Sequence, residues 1–255
     1  MPQNISFDGE VLIHGEIKPG FYVHTKGDIY IDTVMDATDV ETEGNITAFG
    51  GIIGHGGSLL RARGNVQAKF LENLRVLCSG AVEVLMSVVR CEIKTLDRMI
   101  MSAKGQLLSS KIYAQNGVDV FHVGGNVNSH TEIFCGMDFT ALEKVLWLRD
   151  QSASVVKHLK ELQVQLKNYP GQRVLILESL HQMKVHSKEI QDMTVDLLGR
   201  IDQNEDAEIK IRGTVQAGTY LEICHVSHVV PSNISNVRFF LKKAQGILSW
   251  ERMEK

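Results

Sequence analysis

The stretch Gly50-Gly-Ile-Ile-Gly-His-Gly-Gly57 is the part of this sequence that comes nearest to a ligand cradle. A phosphate-binding loop needs backbone N–H groups converging at a helix N-terminus, usually with a following Lys and Ser or Thr. Here Ser58-Leu-Leu-Arg61 leads instead into alternating apolar residues, so the stretch is expected to be a flexible bulge with His55 exposed as a candidate partner contact. Cys224-His225-x-x-His228 is the densest group of metal-ligating residue types. On a strand, alternation sends Cys224 and His228 to one side and His225 to the other, and a closed zinc site needs four matched ligands. His181 and His186, five apart on a helical pattern, do not share a face either. No metal or other cofactor is expected.

Asp28, Asp32, Asp36 and Asp39 form an acidic run. Polysaccharide cleavage by two carboxylates requires a facing pair, usually beside aromatic platforms, and only Tyr22 and Tyr30 lie near. A solvated acidic face is the simpler reading. Arg61, Arg63, Lys69 and Arg75 suggest a mild basic strip on adjacent turns that would meet an acidic partner surface. Without interleaved aromatics, and with a formal net charge of -3, nucleic acid is not expected as a partner. The four cysteines, Cys78, Cys91, Cys135 and Cys224, are scattered with no Cys-x-x-Cys pair. They read as small buried thiols in a reducing cytoplasm. The polar opening after Met1 lacks a signal-peptide pattern, and no apolar run reaches the roughly 20 residues of a membrane span.

The elements that carry these residues are set by a repeat. Val76-Leu-Cys78-Ser-Gly80-Ala-Val82-Glu-Val84 places Gly at the centre of an alternating apolar run. The same frame surrounds Gly27, Gly44 and Gly64, at spacings of 17, 20 and 16 residues through Gly80. Val11-x-Ile13-x-Gly15-x-Ile17 is a shorter early copy, Met101-x-Ala103-x-Gly105-x-Leu107 continues the set, and Ile209-x-Ile211-x-Gly213-x-Val215 returns to it. Strict alternation indicates strands with one buried face. A coil of such a length, recurring many times, indicates a parallel β-helix, expected to be right-handed because the hexapeptide pattern of left-handed coils is absent. Thr25, Thr42, Ala62 and Cys78 should form one inward ladder, and Ile29, Ile46, Val66 and Val82 another. At Asn116-Gly117 the frame slips by one residue, which indicates a bulge or a shifted corner. Asn126-x-Asn128 and Thr131-x-Ile133-x-Cys135 are expected to complete a last turn.

From Phe139 the period changes. Leu142, Val145, Arg149, Ser152, Val156, Leu159, Gln163 and Leu166 step by threes and fours, as do Ile176, Leu180, Met183, Ser187, Ile190, Thr194, Leu197 and Ile201. Asn168-Tyr-Pro170-Gly171 separates the two series, so an antiparallel coiled-coil hairpin is expected. Its seam has several polar residues. Leu146, Trp147, Val155, Leu175 and Leu198 lie off that seam and are the candidate contacts for a partner or a second subunit. The fold class is therefore mainly β: a parallel β-helix over 5–138, a helical hairpin inserted over 139–203, and a return with a C-terminal cap over 204–250.

Several motifs resemble one known family. Gly64-Asn-Val-Gln-Ala-Lys-Phe70-Leu-Glu-Asn73, Gly50-Gly-Ile-Ile-Gly54 and Gly27-Asp-Ile29 are similar to its turns, as are Thr131-Glu-Ile133-x-x-Gly136 and Gly213-Thr-Val215-x-x-Gly218 flanking the helices. Together they resemble the bacterial flagellar assembly protein A family over about residues 5–250. The resemblance implies a cytoplasmic, non-enzymatic β-helical scaffold linked to flagellar assembly or placement, without catalytic residues to carry over. Partners would be proteins of the flagellar or cell-pole machinery, or a second copy through the hairpin or the solenoid ends. A carbohydrate-active β-helix enzyme and a filament-forming cytoskeletal scaffold are the alternatives.

Overall fold

A computed structural model describes residues 4–14, 22–37, 39–125 and 130–254. Gly15 and Ile17 of the early frame, and Asn126 and Asn128, lie outside the described residues. The chain divides into two compact units, Met1–Met137 with Asp202–Lys255, and Asp138–Ile201.

The first unit is a solenoid of short parallel strands arranged on three faces. One coil shows the pattern. Arg75–Cys78 lies on the first face, the chain bends at Ser79-Gly80, and Val82–Val89 then runs over the second and third faces with a register shift between Val84 and Ser87. Stacking aligns like positions from coil to coil. On the first face Val23, Val40, Leu60, Val76, Ile93, Ile112, Ile133 and Leu221 form one continuous inward ladder. On the second, Ile29, Ile46, Val66, Val82, Met99, Val118 and Ile209 form another. On the third, Met35, Ile52, Leu71, Val88, Leu107, Val123 and Val215 do the same. All of these side chains are buried, so the interior is an apolar core whose burial supplies the main stabilisation.

The ladder predicted through Thr25, Thr42, Ala62 and Cys78 is present, and it continues through Thr95, Ala114 and Cys135. Four of its members make the same bond. Thr25 Oγ1 donates to the carbonyl of Gly9, Thr42 Oγ1 to that of Gly27, Cys78 Sγ to that of Gly64 and Thr95 Oγ1 to that of Gly80. Each small donor satisfies a corner carbonyl of the preceding coil. A thiol can replace a hydroxyl there because it keeps one donor in nearly the same volume.

Two parts of the Gly-centred frame are corrected. Gly27, Gly44, Gly64 and Gly80 occupy the corner between the first and second faces, but the next coils place Asp97 and Asn116 there. Asn116 N–H donates to the Asp97 carbonyl at 2.8 Å, as Gly80 N–H does to Gly64 at 3.0 Å. Gly105 follows a turn beyond the second face, its N–H donating to the Ser102 carbonyl at 2.9 Å. Gly213 is also out of phase. Ile209 stands beside Val118 in the second-face ladder, so Gly213 reaches the next corner, where its N–H donates to the Phe121 carbonyl at 2.8 Å. Thr131–Cys135 therefore does not complete a turn. The chain leaves the solenoid after the first-face strand Glu132–Cys135 and resumes on the second face of the same coil at Ile209.

Near Gly117 the expected corner is seen. Gly117 has φ +104°, and Val118 still pairs with Met99, so the inward register survives the slip. At the C-terminal end Tyr220–Ile223 is covered by antiparallel Val226–Val229, and Ile209–Val215 by antiparallel Ile234–Lys242, itself paired with Ile247–Arg252. Phe239 is fully buried opposite Ile209, so the C-terminal cap contributes a core residue.

The second unit is a helical pair. α1 (Phe139–Asn168) starts at Asp138, whose carboxylate accepts from the N–H groups of Thr140 at 2.8 Å and Ala141 at 3.1 Å. A turn at Pro170–Gln172 leads into α2 (Arg173–Leu198). Leu148 and Val155 pack with Ile190, and Leu162 with Ile176 and Leu180, so early α1 meets late α2 and the pair is antiparallel.

Candidate interaction surfaces

The glycine-rich stretch is mostly strand. Ile46–Gly54 is continuous apart from a register shift between Ala48 and Gly51, so only His55-Gly56-Gly57 leaves the sheet. A Cβ on Gly50 would lie 2.4 Å from the Thr33 carbonyl oxygen, and one on Gly51 would lie 2.2 Å from the Phe70 ring. These glycines therefore permit close coil stacking, which replaces the expected bulge over the first half of the stretch. His55 is exposed as expected, but its Nε2 sits 2.8 Å from Asp36 Oδ1.

The acidic run is spread around the coil. Asp28 Oδ1 accepts the Asn45 N–H at 2.7 Å, Asp32 pairs with His14, Asp36 with His55, and Asp39 Oδ1 accepts the Leu59 N–H at 3.1 Å. The Asn45 N–H, despite some desolvation, holds the Asp28 carboxyl below its ordinary value. Four carboxylates that each bond elsewhere do not form a facing pair. The basic strip is dispersed in the same way. Arg61 lies on the first face 3.8 Å from Glu41, Arg63 at the adjoining corner 3.5 Å from Glu43, Lys69 at the next corner, and Arg75 back on the first face. A few residues of sequence carry the chain around a corner, so nearness along the chain did not make a patch.

Cys224 and His225 form a tight turn with φ +46° and +63°, so strand alternation does not govern them. His225 Nδ1 lies 2.8 Å from Asp202, and the His228 ring lies 5.9 Å from that of Phe239. Among the described residues no three His, Cys, Asp or Glu side chains are grouped to hold a metal. All four cysteines are free and buried. Desolvation pushes the thiols of Cys78, Cys91 and Cys224 up to about 11, and that of Cys135 higher, which makes them poor nucleophiles.

On the helical pair, the seam of α2 follows the expected register, but that of α1 is shifted. Leu148, Val155 and Leu162 are buried where Arg149, Val156 and Gln163 were expected. Val155 is 8% exposed and part of the helix–helix core, so it is withdrawn as a surface contact. The other four candidates are open: Leu146 is 44% exposed, Trp147 57%, Leu175 67% and Leu198 53%. Helical spacing places Leu146 and Leu198 on one face of the pair, and Trp147 and Leu175 on the opposite face.

The sequence matches the family model for the Flagellar Assembly Protein A beta solenoid domain over residues 4–247. The chain belongs to that family. No curated protein and no solved structure matches it. Among the described residues, no helix of this flagellar-assembly-family chain is long and apolar enough to cross a membrane.

Two features of this family member escaped the sequence reading. Tyr113, Phe134 and Tyr220 form a row along the outside of the first face, with centroids 4.6 Å and 5.5 Å apart, and Lys111 lies over Tyr113 and Phe134. The shared offset of Tyr113 and Phe134 from the ladder residues Ile112 and Ile133 was the available signal. Tyr113 and Phe134 are stacked at 14° between ring planes, so their facing surfaces cover one another, whereas Tyr220 is tilted by 45° from Phe134. The second feature is a groove of about 650 Å³ where the third face meets the first, lined by Gly57, Arg75, Arg90, Lys111, His130 and Glu132. Its cations are partly neutralised: Arg90 lies 2.5 Å from Glu72 and Lys111 3.1 Å from Glu132.

Proposed function

We propose that this flagellar-assembly-family chain is a non-enzymatic scaffold whose solenoid is a rigid rod and whose helical hairpin is the arm that binds protein partners. The observation that carries this reading is the surface of the hairpin. Its own seam buries only a narrow stripe, led by Leu148, Val155, Leu162, Ile176, Leu180 and Ile190, while Trp147, Leu175, Val195 and Leu198 stand in solvent. Exposed apolar side chains on an otherwise polar helix pair mark an interface.

The solenoid supports the rod role, since its ladders fill the interior and ion pairs such as Arg61–Glu41, Arg90–Glu72 and Arg212–Asp119 join successive coils. A right-handed wind, following the general preference of parallel crossover connections, and a coiled-coil form of the hairpin belong to the same reading. Partners are proteins of the flagellar or cell-pole machinery, met in the cytoplasm. The antiparallel strands over the C-terminal coil oppose a filament built by head-to-tail stacking of ends.

Genetic complementation tests the reading. Cells lacking the chain should show altered flagellar number or position, restored by the full chain and not by one lacking Asp138–Ile201. Full restoration by the shortened chain would exclude the hairpin as the arm.

A further inference from the structure

Charge on the helical pair is segregated to one side. Leu148, Val155 and Leu162 of α1, with Ile176, Met183 and Ile190 of α2, take the d positions of heptads; the e and b positions follow one and five residues later. In an antiparallel pair the e and b sides of both helices share one face, and the g and c sides share the other. The e/b face contains Arg149, Lys160, Lys167, Lys184 and Lys188, and not one aspartate or glutamate. None of its four lysines forms an ion pair among the described residues. Between these cations stand exposed Leu146, Val156, Leu177, Val195 and Leu198. The g/c face has the opposite excess, with Glu161, Glu189 and Asp196 against one lysine, Lys144.

This pattern selects the occupant. A second copy joined by a two-fold axis would bring the same face against itself, setting lysines against lysines without a counter-charge. A lipid surface is a poorer match, because the exposed apolar residues here are Leu and Val, and the single Trp of the helices, Trp147, is on the other face. An α-helix with an apolar stripe and flanking carboxylates satisfies both requirements, since Lys beside an apolar seam pairs with Glu on a neighbouring helix.

We propose that the e/b face of the hairpin docks an acidic amphipathic helix of a partner protein, which lies in the groove between α1 and α2 as a third helix. This rests on the reading of the hairpin as the binding arm.

The full chain is titrated, by fluorescence anisotropy, with a three-heptad peptide bearing Leu at a and d and Glu at e and g. Its counterpart with Lys for Glu, and vesicles of phosphatidylglycerol or phosphatidylcholine, are the comparison probes. The Glu peptide should bind, with affinity falling as salt rises, and the Lys peptide should bind at least about tenfold more weakly. K184E/K188E should weaken the Glu peptide at least about tenfold, while E161K/E189K on the opposite face changes it less than about twofold. Circular dichroism confirms that both variants remain helical.

Absence of binding by the Glu peptide, equal binding of both peptides, or indifference to K184E/K188E would overturn the proposal. Tighter binding to phosphatidylglycerol vesicles than to the peptide would overturn it in favour of a lipid surface. In cells, K184E/K188E that complements fully while loss of Asp138–Ile201 does not would reject this face and leave the arm intact. Complementation by the shortened chain would reject the arm itself.

Discussion

Replacing Thr42 by Val tests the corner-carbonyl ladder with almost no change in shape. Thr42 is 1% exposed; its hydroxyl donates to the Gly27 carbonyl and accepts the Gly44 N–H at 2.9 Å. Valine keeps the volume and loses both bonds, leaving a carbonyl and an N–H at a tight corner. A net loss of about 1 kcal/mol per hydrogen bond gives about 2 kcal/mol in total. At about 2–4 °C per kcal/mol for a unit of this size, the melting temperature of the solenoid should fall by about 4–8 °C. The assay is far-ultraviolet circular dichroism followed at the strand signal. Thr42→Ser is the control, since it retains the hydroxyl and should lose only about 1 kcal/mol for the buried methyl. A Thr42→Val protein as stable as the parent, or less affected than Thr42→Ser, would refute the role assigned to this ladder.

Gly50→Ala should destabilise the solenoid by several kcal/mol, because its Cβ would meet the Thr33 backbone 2.4 Å away, and chemical denaturation measures the loss. The buried thiols should be unreactive to a disulfide reagent in the native chain, with all four becoming titratable on unfolding. Folding raises the thiol pKa of Cys78 and Cys91 from 9.0 to about 11, so the native state holds these protons more tightly. Stability should therefore be level up to about pH 9 and decline from there to about pH 11, a decline that Cys78→Ser with Cys91→Ser reduces. Excision of Asp138–Ile201 with a short linker should leave the solenoid transition within a few degrees of its original temperature, as expected of a separate compact unit.

The ladders were legible because an inward residue is constrained by every coil above and below it, so Ile29, Ile46, Val66 and Val82 repeat the same choice. The corner glycines were less secure markers. Asp97 and Asn116 serve the same corner through the Asn116 Nδ2 bond to Asp97 Oδ1 at 3.0 Å, which no glycine count detects. That substitution misled the phase at Gly105 and Gly213. In α1, Val145, Ser152 and Leu159 fit both the expected and the observed seam, and the polar seam residues concealed the choice between Arg149 and Leu148. The candidate site suffered from geometry of another kind. Arg61, Arg63, Lys69 and Arg75 are near in sequence, yet the coil turns corners between them, whereas Tyr113, Phe134 and Tyr220 are distant in sequence and adjacent in space.

The most direct test of the central claim is capture of partners by the full chain and by the chain lacking Asp138–Ile201, each folded and presented at equal concentration to an extract of the source cell. Flagellar or cell-pole proteins should be recovered with the full chain and lost with the shortened one. Equal recovery of the same proteins by both would contradict it and move the interface to the solenoid.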